Sequence, residues 1–411
     1  MRADGPAAAG CLCALLLATS AASGSAQTVT FDRRPTVHVP GGELELRARV
    51  DGVVLSGSKR QGLDGPDAEW QTRRIEVDGT FFQKLEFELA YELGDSVEPE
   101  GHQYVNYRFS RRLEIRAGRF KIPFSRDQLT SGGDLDFVVR SMAARQIAPG
   151  RDVGVMVHGR TRNRAFSYQA GYFDRDGTHA RTSQTEGGHD AIAARVVIAP
   201  FVSTSHRVAA PLQLGVNVVT SRLDNLLGLR GETVFEDGVF FDRSYVNGRR
   251  LRHGLDAAWS LGPVSLTAER DVMTDERLAM GLAGEDLPKI RATGWYVAGT
   301  WTVTGETKDG RVEPRESLFD GGWGAVQLAG RVERLAFGTL DEAANAMLRF
   351  GAAPPDNHDR VTTVGVAWYL NRYFKVQGNL VHEAIADPAR SPAPNAGGRL
   401  PRGVLQFQFV L

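Results

Sequence analysis

Arginine dominates the chemistry this sequence could perform. The 411-residue chain carries 43 arginines and six lysines, and its 49 basic residues are matched by 49 acidic ones. One stretch gathers cations: Lys121, Arg126, Arg140, Arg145 and Arg151 stand against Asp127, Asp134 and Asp136, five positive charges against three negative ones, a local balance of +2. A planar guanidinium presents two parallel N–H donors and so suits a carboxylate or phosphate. More cations alternate with apolar neighbours along the chain: Arg47, Arg49, Arg74, Arg108, Arg116, Arg195, Arg250, Arg252, Arg331 and Lys375. Glu45, Glu76, Glu86, Glu88, Glu114, Asp256 and Glu333 share those polar faces. Such a mixture is either a transverse field across a water-filled space or a set of paired, solvated wall residues.

Groupings that do covalent or metal chemistry are missing. The nine histidines are scattered, with no His-x-x-x-His pair, so no metal site is expected. No Gly-x-Ser-x-Gly nucleophile motif occurs, and no catalytic residue or cofactor is expected. The zero net charge argues against a nucleic-acid binder, which normally shows a basic excess. With 42 % hydrophobic residues the chain is not intrinsically disordered.

The elements that must position the arginines read as strands. Leu44, Leu46, Ala48 and Val50 alternate with Glu45, Arg47 and Arg49. Leu85, Phe87, Leu89, Tyr91 and Leu93 alternate with Glu86, Glu88 and Glu92. Phe374, Val376, Gly378 and Leu380 alternate with Lys375, Gln377 and Asn379, and Leu405, Phe407, Phe409 and Leu411 with Gln406 and Gln408. Period two places one polar and one apolar face on each strand. Sixteen strands are expected, centred near residues 49, 74, 87, 105, 116, 155, 169, 195, 214, 255, 268, 296, 328, 364, 379 and 406. Tight turns are expected at Asp78-Gly79-Thr80, Ser110-Arg111, Arg160–Arg164, Gly262-Pro263 and Asn371-Arg372. Long connections are expected at 121–150, 174–188, 221–249 and 337–358, with a short helical pattern at Asp341–Arg349. Residues 304–321 fall where a short turn is due, so a strand there is open to displacement.

Arg2 followed by the apolar run Ala7–Ala22 and the small residues Ser23-Gly24-Ser25-Ala26 reads as a secretory signal peptide, residues 1–26. Residues 27–411 then form one barrel domain, and both cysteines, Cys11 and Cys13, leave with the signal. Nothing later in the chain approaches the ~20 apolar residues of a membrane helix. Alternation alone does not separate a water-soluble β-sandwich from a membrane barrel, since both alternate. The signal peptide, strand count and aromatic final strand favour an all-β, transmembrane antiparallel β-barrel of sixteen strands. Trp70, Tyr91, Tyr107, Trp259, Trp295, Trp323, Trp368 and Tyr369 are expected near membrane–water interfaces.

Several stretches resemble the phosphate-selective porin O/P family of Gram-negative outer membranes. They are Arg73-Arg74-Ile75-Glu76-Val77-Asp78-Gly79-Thr80-Phe81, Tyr104-Val105-Asn106-Tyr107, Gly118-Arg119-Phe120-Lys121-Ile122-Pro123-Phe124, Asp134-Leu135-Asp136-Phe137 and Ala148-Pro149-Gly150-Arg151-Asp152-Val153-Gly154-Val155. Later come Gly294-Trp295-Tyr296-Val297, Gly322-Trp323-Gly324-Ala325-Val326-Gln327-Leu328-Ala329 and Trp368-Tyr369-Leu370-Asn371. The resemblance implies a trimeric channel in outer-membrane lipids that passes small anions such as phosphate or polyphosphate. It also implies that the connection after the fifth strand folds inward. Lys121, Arg126, Arg140, Arg145 and Arg151 would then line a constriction, with the strand arginines and Lys375 along the lumen wall. Two features differ from the family pattern: the chain ends on Leu411 rather than Phe or Trp, and lysines are few. A general non-selective porin, a barrel sealed by its own loop, and an outer-membrane barrel hydrolase acting on lipids are the alternatives.

Overall fold

Period-two alternation becomes sixteen antiparallel strands in the computed structural model, which describes residues 28–56, 67–93, 101–180, 187–236, 238–339, 356–390 and 400–411. The strands are β1 (Gly42–Ser56), β2 (Asp67–Phe81), β3 (Leu85–Glu92), β4 (Gln103–Ser110), β5 (Leu113–Lys121), β6 (Arg151–Arg160), β7 (Phe166–Arg175) and β8 (His189–Ile198). They continue as β9 (Gln213–Leu227), β10 (Tyr245–Leu261), β11 (Val264–Arg277), β12 (Leu287–Thr302), β13 (Ala325–Thr339), β14 (Asn357–Tyr369), β15 (Phe374–Ile385) and β16 (Leu400–Val410). Each expected strand centre lies inside one of them. Each strand pairs with the next, and β16 returns to β1, from Gly403 opposite Ser56 to Val410 opposite Arg49. Closure leaves no free edge for another chain to extend. A short hairpin, Thr28–Phe31 and Pro35–Val39, pairs onto the start of β1. The expected signal peptide and the Asp341–Arg349 pattern lie outside the described residues.

Packing is inverted relative to a soluble sandwich. On β15, Lys375, Gln377 and Asn379 are buried inside, while Phe374 and Leu380 are exposed outside, Leu380 at 66 %. Leu89, Val155, Ile192, Leu255, Val332 and Phe407 likewise face outward. An apolar exterior around a polar interior is stable only with lipid outside. Trp70, Tyr91, Tyr107 and Trp368 are exposed on this outer surface, as expected of interfacial rings, and Trp323 is exposed on the connection before β13. Tyr369 departs from that set: it is buried inside, and its hydroxyl bonds Gln327 at 3.2 Å.

Two turn expectations are corrected. The strand runs through Asp78-Gly79-Thr80, and the β2–β3 turn falls at residues 82–84, where Phe82 and Gln83 take positive φ. Gly79 is in the strand because Phe87, its cross-strand partner, lays its ring over it; a Cβ there would sit 2.2 Å from that ring. At 304–321 no strand is displaced. Residues 303–324 are an irregular connection with one 3₁₀ turn, Leu318–Asp320. It folds back under the barrel, burying Val312 against Ala325, Ala367 and Tyr369.

Residues 122–150 fold into the lumen. They carry two short helices, α1 (Arg126–Leu129) and α2 (Met142–Gln146), capped by Ser125 and Ser141. Ile122, Phe124, Met142 and Ile147 join an inner apolar cluster with Phe120, Phe173 and Met273. Wall side chains accept the loop's free amides. The Glu269 carboxylate accepts N–H groups of Arg126 (2.9 Å) and Asp127 (3.1 Å), and Glu333 accepts that of Met142 at 2.6 Å. Asn379 accepts the Val138 N–H at 2.8 Å. First-turn amides have no partner within a helix, so these wall acceptors fix both helices in place. Gly294 lets α2 approach, since a Cβ there would lie 2.6 Å from the Ala143 methyl.

Candidate pore constriction

Between the inner wall of β1–β3 and the inward loop lies a cavity of about 590 Å³. Its cations come from both sides. Arg47, Arg49 and Arg74 rise from β1 and β2, while Lys121, Arg140, Arg145 and Arg151 come from the end of β5, the loop and the start of β6. Its carboxylates are Glu69, Glu76, Glu88 and Glu236. Seven against four leaves a lining balance of +3.

The cations are held in two ways. On the wall they share carboxylates: Arg47 bonds Asp78 at 2.9 Å and reaches Glu76 at 3.3 Å, and Arg74 bonds Glu92 at 3.0 Å. Arg49 bonds Asp51. On the loop, neutral carbonyls do most of the positioning. The Lys121 ammonium donates to the carbonyls of Thr130 (2.9 Å) and Leu129 (3.3 Å), and Arg140 donates to those of Thr130 (2.8 Å) and Asp127. Arg145 spans to the Val234 carbonyl and Glu236 in the connection 228–244. A carbonyl positions a cation without adding a formal negative charge beside it.

Other expected residues lie elsewhere. Arg126 turns away from the cavity towards Gln213 and Asp256. With Asp127, Asp134, Asp136 and Arg331 it lines a separate gap of about 80 Å³ behind the loop. Arg250 and Arg252, expected on the lumen wall, are fully buried and clamp Asp176; Arg250 also holds Asp275 through two 2.6 Å bonds. Arg195 pairs with Asp256 at 2.7 Å, and Arg331 with Glu333. Lys375 donates to the Leu135 carbonyl at 3.0 Å beneath the loop. Arg108 pairs with Glu86 and Glu114, and Arg116 stacks 4.0 Å over the Tyr104 ring. Each of these side chains is met by a partner outside the cavity, a carboxylate, a backbone carbonyl or a ring, as a desolvated charge requires.

The result is a segregation of charge. Asp256, Glu269, Asp275 and Glu333 on the far wall, and Asp176 just beyond β7, are consumed in ion pairs or in holding loop amides. Cations remain in excess around the water-filled side. Alternation did not single out His102, Thr72 or the apolar lining residues Leu129, Leu135, Val138, Val139, Val234 and Phe235. Nor did it single out Arg311, which enters from the 303–324 connection and donates to the Gly133 carbonyl (2.8 Å) and Gln408 (2.6 Å). Lys308 on that connection pairs with Asp136 at 2.6 Å, so the inward loop is braced from below.

His179 braces the loop's other end. Its Nδ1–H donates to the Ala148 carbonyl at 2.9 Å, and burial pushes its pKa down to about 4. The folded state therefore binds fewer protons than the unfolded state between about pH 6.5 and 4. The contribution of this contact is complete above that window and falls as pH drops through it. Channel current noise should rise as pH is lowered from 6.5 to 4, and His179→Gln should flatten that dependence.

A closed sixteen-stranded barrel, apolar outside, polar inside and narrowed by a loop following its own fifth strand, is a porin: a channel rather than an enzyme. The chain belongs to the family described as phosphate-selective porin O and P, whose model matches residues 43–409. It is thus a porin of the Gram-negative outer membrane. It is 24 % identical to Porin O of Pseudomonas aeruginosa, over 90 % of this chain and 91 % of that protein. Its fold is similar to that of an anion-selective porin from Comamonas acidovorans, with TM-score 0.56 and 15 % identity over 90 % of this chain and all of that one. It is also similar to a trimer form of OmpT of Vibrio cholerae, with TM-score 0.55 and 10 % identity over 90 % of this chain and all of that one.

Proposed function

We propose that this porin passes small anions by diffusion through the cavity between β1–β3 and the inward loop. The observation that carries this reading is the +3 lining balance in a chain of zero net charge. A basic constriction lowers the barrier for anions and raises it for cations. Lys121, Arg140, Arg145 and Arg151 form the loop side of the constriction; Arg47, Arg49 and Arg74 form the wall side. Phosphate is one candidate solute, suggested by the family description and the name of the Pseudomonas relative. Export by residues 1–26, a barrel domain of residues 27–411, contact with outer-membrane lipid and assembly as a homotrimer complete the proposal.

Reversal potentials in planar bilayers under a KCl gradient test it. An anion-selective potential is expected, with inorganic phosphate reducing the chloride current. A potential near zero would leave a general porin, and a cation-selective one would reject the assignment.

A further inference from the structure

The cavity has two unlike sides. Arg47, Arg49 and Arg74 occupy the β1–β2 wall, whereas the opposite side mixes the cations Lys121, Arg140, Arg145 and Arg151 with hydrocarbon from Leu135, Val138, Val139 and Phe235 of the inward loop and the 228–244 connection. This apolar strip is continuous with packed structure. Val138 is buried with Val53 and Val404, and Val139 and Phe235 pack on that cluster while remaining partly open to the lumen. The Arg402 guanidinium lies 5.6 Å from the Phe235 ring centre, which helps to hold the ring.

We propose that the preferred solutes of this channel are organic anions with an apolar body, of the aromatic or medium-chain carboxylate class. The proposal rests on the anion-channel reading above and names its solute class. A fully hydrated inorganic oxyanion is best served by donors on all sides. Here the apolar strip offers it none, so part of its hydration would be lost without replacement. A carboxylate with a hydrocarbon body places its head on the arginines and its body on Val139 and Phe235. Both surfaces are then matched at once. The wall guanidinia also support a singly charged head: Arg49 and Arg74 already hold Asp51 and Glu92, leaving each only part of its donor set for a solute. The cavity, about 590 Å³, has room for a single-ring acid.

The test uses the purified full-length protein in planar bilayers at neutral pH. The concentration that halves chloride current is measured for acetate, butanoate, hexanoate, benzoate and inorganic phosphate. Block is expected to strengthen with chain length, and benzoate to act at roughly tenfold lower concentration than acetate, the usual discrimination by one apolar subsite. Phe235→Ser and Val139→Ser, made separately, should bring the benzoate-to-acetate ratio towards one; taking a ratio cancels any change in conductance. Equal block by acetate, hexanoate and benzoate, or stronger block by phosphate than by benzoate, would overturn the proposal while the channel stayed anion-selective in KCl. Loss of anion selectivity in KCl would instead defeat the reading on which the proposal rests. The carboxylate series needs only the unaltered protein, so a variant that fails to assemble does not remove the test.

Discussion

Arg47→Glu combined with Arg74→Glu is expected to invert the ion preference of the channel. The cavity lining falls from +3 to −1, because each exchange removes one positive and adds one negative charge. Both residues stand on β1 and β2, so the inward loop keeps all its own contacts. Two unit charges 4 Å apart interact by ~1 kcal/mol in bulk water and ~4 kcal/mol near a protein surface. Four units of charge at the cavity wall therefore change the relative barriers by several kcal/mol, well above the ~1.4 kcal/mol that makes a tenfold ratio. At physiological salt the screening length of ~8 Å is comparable with the width of such a cavity, so the effect should be largest at low ionic strength. The measurement is the sign of the reversal potential in a dilute KCl gradient. An unchanged sign would show that the loop cations alone set selectivity.

Removing the acceptors that hold the inward loop should have the second large effect. Glu269→Ala with Glu333→Ala leaves the amides of Arg126, Asp127 and Met142 without partners. Each orphaned buried donor costs about 1–3 kcal/mol. Opposing this, Phe124, Met142 and Ile147 are fully or almost fully buried, at ~1.5–3 kcal/mol for each such side chain. The terms are of similar size, so the two ends of the loop should stay packed while its middle loosens. Expected results are a raised and noisier conductance, and tryptic cleavage at Arg140 or Arg145 in barrels that otherwise resist digestion. Glu269→Gln, which keeps one acceptor, should give a milder version of both. Unaltered conductance and protease resistance in the double variant would assign the loop's position to the apolar cluster alone.

The strand framework was legible because each strand separates two solvents. Lys375, Gln377 and Asn379 against Phe374, Val376 and Leu380 read directly as inside and outside, and the structure keeps that assignment. Local turn chemistry was a poorer guide. Asp78-Gly79 reads as a turn from residue type, yet the Phe87 ring across the strand makes glycine the residue that fits there. The 303–324 connection carried no periodic signal, since its packing on Ala325, Ala367 and Tyr369 joins residues far apart in the chain.

Sequence by itself determined the strand positions and the division of each strand into a polar and an apolar face. Those properties follow from short-range alternation, which a two-residue period records. Tertiary structure alone decided which charges meet water. Arg250 and Arg74 look alike in sequence, both on polar strand faces, but Arg250 is enclosed by Asp176 and Asp275 and Arg74 opens onto the cavity. The difference is made by what meets each guanidinium: Asp176, just beyond β7, and Asp275 on β11 close over Arg250, whereas the inward loop stands off from Arg74 across the cavity. A total charge of zero is a sum over the chain; selectivity depends on where the uncancelled cations stand, and only the folded barrel places them.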